Sequence, residues 1–198
     1  MQDNEKLLIH YAKEGDDDAF CDLVEAYQTP VFNLCYRMLG SQYEAEDAAQ
    51  ESFLRAYKSL SSYDTNRSFS TWLLSISAHF CINQIRRRKK QITSLDSLDH
   101  LNLQASSLNP EQNIEFNEEQ ELVRSLLKVL KPVDRAIVVL FYWYDYSYEE
   151  IANILNLTES AVKSRIHRAR RELAKKWIDQ ISVKPSPESL SPCVNSTS

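Results

Sequence analysis

The 198-residue chain has only two glycines, Gly15 and Gly40. Strand-rich folds draw on glycine for their turns, so this scarcity argues against sandwiches and barrels and for helices joined by short polar loops. No apolar run reaches the roughly 18 residues of a membrane-spanning helix. The opening residues MQDNEKLL lack the basic start and apolar centre of a secretory signal, so the expected location is cytoplasmic. The four cysteines, Cys21, Cys35, Cys81 and Cys193, show no C-x-x-C spacing. Three of them fall in apolar helical patterns, which predicts buried, reduced thiols. His10, His79, His100 and His167 are scattered. With no P-loop, no GxSxG and no GxGxxG either, no cofactor, metal site or catalytic set is expected.

Charge is distributed unevenly. The chain carries 28 Asp+Glu against 23 Lys+Arg. Residues 1–64 hold 13 acids and 5 bases, whereas 65–90 hold 6 bases and no acid. Residues 91–122 then hold 7 acids and no base, and 147–180 hold 7 bases and 5 acids. Two basic islands in an acidic background suit a protein that meets a polyanion at two places and is kept off it elsewhere.

Hydrophobic spacing predicts the helices. A short one is expected over 4–14. A longer pattern over 17–39 carries Phe20, Leu23, Val24, Tyr27, Val31, Leu34, Cys35, Met38 and Leu39, with Pro30 as a kink or a new start and Gly40 as a stop. In 45–60, Ala49, Phe53, Ala56 and Leu60 form a core-facing stripe. Asp47, Gln50, Glu51 and Leu54 form a second stripe that reads by itself as solvated. A polar loop, 62–68, precedes a helix over 69–90 that ends in five consecutive cations, Arg86 to Lys90. A helix C-terminus favours one or two cations, so five side by side point to an anionic partner. Trp72 lies on the apolar stripe of this helix, which predicts core packing rather than a stacking platform.

Residues 91–113 are rich in Ser, Asn, Asp and Gln and read as a flexible linker. Beyond it, Leu122, Val123, Leu126, Leu127 and Leu130 mark one helix. Pro132 suits the first turn of the next, whose 133–144 stretch is nearly all apolar and reads as core. The Ser/Pro-rich segment after Ile181 reads as a disordered tail.

Ser147 and Glu150 form a capping box that starts a short helix with Ile151, Ala152 and Leu155 inward. Asn156-Leu157-Thr158 is a tight turn: Asn tolerates a left-handed backbone and Thr caps a new helix. That helix, within TESAVKSRIHRARREL, has Val162, Ile166, Ala169, Leu173 and Trp177 on one narrow stripe. Ser160, Ser164, Arg168, Arg171 and Lys175 lie opposite, flanked by Lys163, Arg165, His167 and Arg170. Two short helices, a tight turn and a basic outer face describe a helix-turn-helix whose second helix enters a major groove.

The blocks EAEDAAQESFLRAY, FSTWLLSI, INQIRRRKK and SYEEIANILNLTESAVKSRIHRARREL resemble the extracytoplasmic-function class of sigma-70-family RNA polymerase sigma factors. The resemblance covers about 17–90 and 114–178. It implies an all-α protein of two small domains: sigma region 2 over 1–92, a linker over 93–113, sigma region 4 over 114–180 and a tail over 181–198. It implies a non-enzyme that binds core RNA polymerase and recognises and opens promoters. Asp47, Gln50, Glu51 and Leu54 would meet the clamp helices of the largest polymerase subunit, with the flap of the second subunit as a further contact. Arg67, Ser68, His79, Asn83, Arg86, Arg87, Arg88 and Lys89 would serve the minus-10 element. Ser160, Lys163, Ser164, His167, Arg168 and Arg171 would serve the minus-35 element. An anti-sigma factor would be a further partner.

The chain departs from the family pattern at several positions. Ala78-His79 stands where Arg-Asn is usual, Asn83 where Asp is frequent, and Asp145, Asn156 and Ser160 where Gly is common. The rival reading is an ordinary helix-turn-helix regulator. The second basic island at 86–90, behind an aromatic-rich helix, separates the two, because a regulator needs no strand-opening surface.

Overall fold

The computed structural model describes residues 2–95 and 118–183. Eight α-helices account for most of these residues, and no strand occurs among them. The first unit comprises α1 (Gln2–Lys13), α2 (Asp17–Leu39), α3 (Gln42–Ser59), a 3-10 turn (Leu60–Ser62) and α4 (Phe69–Leu95). The second comprises α5 (Glu118–Val129), α6 (Pro132–Trp143), α7 (Tyr148–Leu155) and α8 (Glu159–Val183). The expected linker core and most of the expected tail lie outside the described residues.

Helix α2 is the central post of the first unit. Asp16 caps its start by accepting from the Ala19 N–H at 3.0 Å, and Gly40 ends it in a left-handed conformation, φ 76°. Pro30 neither splits nor restarts it. Val31, Leu34, Cys35 and Met38, all fully buried, continue the stripe of Phe20 and Leu23 past the missing N–H, so burial outweighs one lost backbone bond. Helix α3 begins earlier than its apolar pattern, because Ser41 caps it through the Glu44 N–H.

Helix α4 corrects one expectation. Arg86 to Lys90 are not its last turn: the helix continues through Gln91 to Leu95. Its first residue Phe69 and the half-buried Trp72 pack with Tyr63 in an aromatic cluster, with ring centroids 5.5, 5.6 and 4.8 Å apart. Trp72 is thus committed to packing, as its stripe predicts. Of the cysteines, Cys35 and Cys81 are buried side by side, and their contact and burial push the Cys81 thiol well up. Cys21 contradicts the expectation of burial: it lies on the solvent face of α2 and is exposed. Cys193 lies outside the described residues.

The second unit packs onto the first through α2 and α4. Arg135 of α6 is only 7 % exposed; it donates to the Met38 carbonyl at 2.5 Å and to the Lys128 carbonyl at 3.1 Å. Arg124 of α5 donates to the Gly40 carbonyl at 2.8 Å. Two guanidinium groups therefore complete the C-terminal end of α2, where carbonyls lack partners and the helix dipole favours cations. A Cβ at Gly40 would come within 3.3 Å of the Arg124 side chain, so the close approach as well as the positive φ requires glycine here. Tyr144 donates to the Pro30 carbonyl, Tyr146 and Ser70 share a hydrogen bond of 3.2 Å, and Arg37 lies over Trp143.

Candidate nucleic-acid interface

Local chemistry fixes α7 and α8. Ser147 Oγ accepts from the Glu150 N–H at 3.2 Å, and Glu150 accepts in return from the Ser147 N–H at 2.8 Å, completing the capping box. Asn156 ends α7 at φ 52°, ψ 51°, and its N–H returns to the Ala152 carbonyl. Thr158 opens α8 by accepting from the Ala161 N–H at 3.2 Å. The turn therefore has the predicted form. Asp145 also has φ 52°, so two of the three positions where glycine is usual in the resembling family need a left-handed backbone. Ser160 lies inside the first turn of α8 and has no such need. Asn156→Val is expected to cost about 1–2 kcal/mol through left-handed strain, with Asn156→Gly near neutral, as read by thermal unfolding.

Val162, Ile166 and Ala169 are buried against α6 and α7, Leu173 is half-buried and Trp177 is exposed, so the predicted stripe is core for its first three members. The opposite face is open. Ser160, Lys163, Ser164, His167, Arg168 and Arg171 are all exposed, and Lys163, Ser164, His167 and Arg168 line one shallow concavity. Lys163 bonds Glu159 at 2.8 Å; that bond and the carboxylate charge raise its pKa and hold the ammonium beside Tyr148. Two flanking cations have structural duties. Arg165 donates to the buried Asp134 carboxylate at 2.7 Å, tying α8 to α6, and Arg170 donates to the Tyr142 hydroxyl at 2.8 Å.

The basic run of α4 divides over different sides of the helix. Arg86, Lys89 and Lys90 face a cleft against the second unit. Arg87 is exposed elsewhere, and Arg88 is bound to Glu44 of α3 in a half-buried ion pair. Arg88 is thus already neutralised from within the chain, which the sequence run does not reveal. His79 is half-buried, with Nδ1 donating to the Ser75 carbonyl at 2.8 Å, and Asn83 is exposed one turn further on. The preceding loop is held by Tyr63, which donates to the Arg67 carbonyl, and by Lys13, which donates to the Tyr63 carbonyl at 2.9 Å. The Asn66 N–H lowers the Asp64 carboxyl pKa, and Asp64 stands 3.8 Å from Arg67. Ser68 sits at the start of α4, 2.8 Å from the Ser70 hydroxyl. Arg67 and Ser68 are exposed on this braced loop.

On α3, Asp47, Gln50 and Leu54 are exposed and Glu51 is half-buried, paired with Arg55 at 2.7 Å. Gln50 also borders a groove of about 360 Å³ between α2 and α3, where Val24, Phe32 and Phe53 supply apolar walls. Leu54, an apolar side chain 54 % exposed on α3, breaks the pattern of a purely solvated face.

The profile of Sigma-70 region 2 matches residues 23–91, and that of Sigma-70, region 4 matches 120–173. The ECF RNA polymerase sigma factor SigW of Bacillus subtilis is 38% identical over 181 residues, 88% of this chain and 97% of that protein. This chain belongs to the ECF class of the sigma-70 family. The RNA polymerase sigma-H factor of Pseudomonas aeruginosa is 30% identical over 183 residues, covering 88% of this sigma factor and 94% of that one. Its fold is shared by CnrH, solved with the cytosolic domain of CnrY, at a TM-score of 0.66, 23% identity and coverage of 89% and 98%. RpoE of Bartonella quintana, solved with the anti-sigma factor NepR, gives 0.61 at 19% identity, covering 84% and 98%. The family membership bears out the all-α, two-region architecture and identifies the protein as an RNA polymerase sigma factor, a transcription initiation factor.

Proposed function

We propose that this sigma factor divides its work among three surfaces. Region 2, expected over 1–92 and here helical to Leu95, binds core polymerase through Asp47, Gln50, Glu51 and Leu54. Its α4 side, with Arg67, Ser68, His79, Asn83, Arg86, Arg87 and Lys89, serves the minus-10 element during strand opening; Arg88 contributes once it leaves Glu44. Region 4, over 114–180, reads the minus-35 element through Ser160, Lys163, Ser164, His167, Arg168 and Arg171. The concave, basic outer face of α8, presented by the Asn156 turn, carries this reading. The protein acts in the cytoplasm, performs no catalysis of its own and uses no cofactor; the polymerase supplies the chemistry. An anti-sigma factor is a further partner, in keeping with the fold relative RpoE, which was solved with the anti-sigma factor NepR.

The surfaces are separable. Arg168→Ala is expected to weaken binding to upstream-element duplex by about tenfold or more, the worth of one good base contact, and to leave core polymerase binding intact. Gln50→Ala with Glu51→Ala should abolish stable capture of core polymerase and leave duplex binding unchanged. Pull-down with core enzyme and run-off transcription on a promoter library read both. Loss of the same activity in both variants would sink this division of labour.

A further inference from the structure

Between the two units lies an open cleft of about 800 Å³. Arg86, Lys89 and Lys90 of α4 form one wall, and Lys128, Lys131 and Arg135 the other. Among the described residues that line it, none is a carboxylate. Arg86, Lys90, Lys128 and Lys131 form no ion pair among the described residues. Arg86 and Lys90 face Lys128 and Lys131 across the cleft as like charges, and an anion between them relieves their repulsion.

Two further features point the same way. Arg135, 93 % buried by its 7 % exposure, lines the cleft, and its Nε has no partner among the described residues. Burial lowers its pKa, and its two carbonyl partners, Met38 and Lys128, leave Nε unpaired. The other feature is the start of α6. Lys131 occupies the N-cap position and offers no side-chain acceptor, so the first N–H groups of α6 lack the usual cap beside this cleft. The walls are not purely ionic: Ile85, Val129 and Pro132 add apolar surface, and Val129 is 42 % exposed.

We infer that the cleft between α4 and the α5–α6 turn is a binding site for a nucleotide-class ligand, its phosphates held by the facing Lys and Arg side chains and its ring laid on Ile85, Val129 and Pro132. The volume falls within the roughly 300–1,000 Å³ of small-molecule sites, and apolar walls with a few convergent charges are their usual make-up. The ligand would touch both units, so it would hold them together. It would also occupy Arg86, which could not serve promoter DNA at the same time. This assignment stands apart from the minus-35 surface on α8.

The test is calorimetric titration of the full-length protein with ATP and with inorganic tripolyphosphate, without added metal. One saturable site per chain is expected, with ATP binding about fivefold tighter than tripolyphosphate through its ring. Lys128→Ala with Lys131→Ala should weaken ATP binding by about tenfold or more. Arg171→Ala with Lys175→Ala, on the outer face of α8, should leave it within about twofold. Circular dichroism melts confirm that both variants fold. Absence of saturable binding would overturn the inference, as would equal losses in both variants or tripolyphosphate binding as tightly as ATP. Single-stranded oligonucleotide binding lost in the Lys128/Lys131 variant, with no ATP binding by the wild type, would make the cleft a strand channel and overturn it too.

Discussion

Asp134→Ala is expected to lower the stability of the second unit by about 2–3 kcal/mol, the lower end of the cost of breaking a buried ion pair. The Asp134 side chain is 6% exposed and sits in the first turn of α6, where a negative charge also complements the helix dipole. Its partner Arg165, 30% exposed, keeps some access to water, which moderates the loss. The pair joins α6 to α8 between Ser164 and His167, both on the face proposed to meet DNA, so its removal should also loosen α8. Urea unfolding followed by circular dichroism gives the stability term. Upstream-duplex binding by Asp134→Ala should fall, whereas Arg168→Ala, on the exposed face, should lose binding with stability changed by less than about 0.5 kcal/mol. Equal stabilities for Asp134→Ala and the wild type would show that Asp134 does not set the position of α8.

The second large effect concerns the contact between units. Arg135→Met removes two hydrogen bonds, to Met38 and Lys128, and leaves most of the side-chain volume. Unmet buried carbonyls cost about 1–3 kcal/mol each, offset in part because a desolvated charge also disappears. A net loss of about 2 kcal/mol is expected, and Arg135→Ala should lose about 1 kcal/mol more through the cavity it leaves. Small-angle X-ray scattering of either variant should show a larger radius of gyration. With Arg124 still donating to Gly40, the separation should be partial, and Arg124→Ala combined with Arg135→Met should complete it. An unchanged radius in the double variant would mean that apolar packing alone holds the units together.

The contrast between these groups and the predicted ones shows what a sequence exposes. The capping box at Ser147 and Glu150, the left-handed Asn156 and the α8 stripe rest on neighbours within a few residues, where spacing and propensity carry the information. Family membership supports the architecture and the sigma-factor function, both anticipated from the blocks in each half. Arg124, Arg135 and Arg165 were opaque, because their partners lie 84, 97 and 31 residues away and the long cationic side chain reads as solvated by default. Arg88 hid in the same way behind Glu44, 44 positions earlier. The five residues after Lys90 have no apolar stripe, so the extension of α4 left no periodic signal. Cys21 was misplaced because an apolar neighbourhood along the chain does not fix which side of a helix a residue occupies.

The shared end of α2 also imposes an order on synthesis. Met38 and Gly40 leave the ribosome well before Arg135 and Arg124, by 97 and 84 residues respectively. At the usual elongation rate of about 5–20 residues per second, that gap lasts roughly 4–20 seconds. Region 2 is complete only at Leu95, so it has roughly 1–8 seconds to fold with water at those carbonyls before Arg124 and Arg135 are made. During that interval the side of α2 and α4 destined for region 4 is open on the nascent chain, and a partner that binds there can engage before the second half of the protein exists.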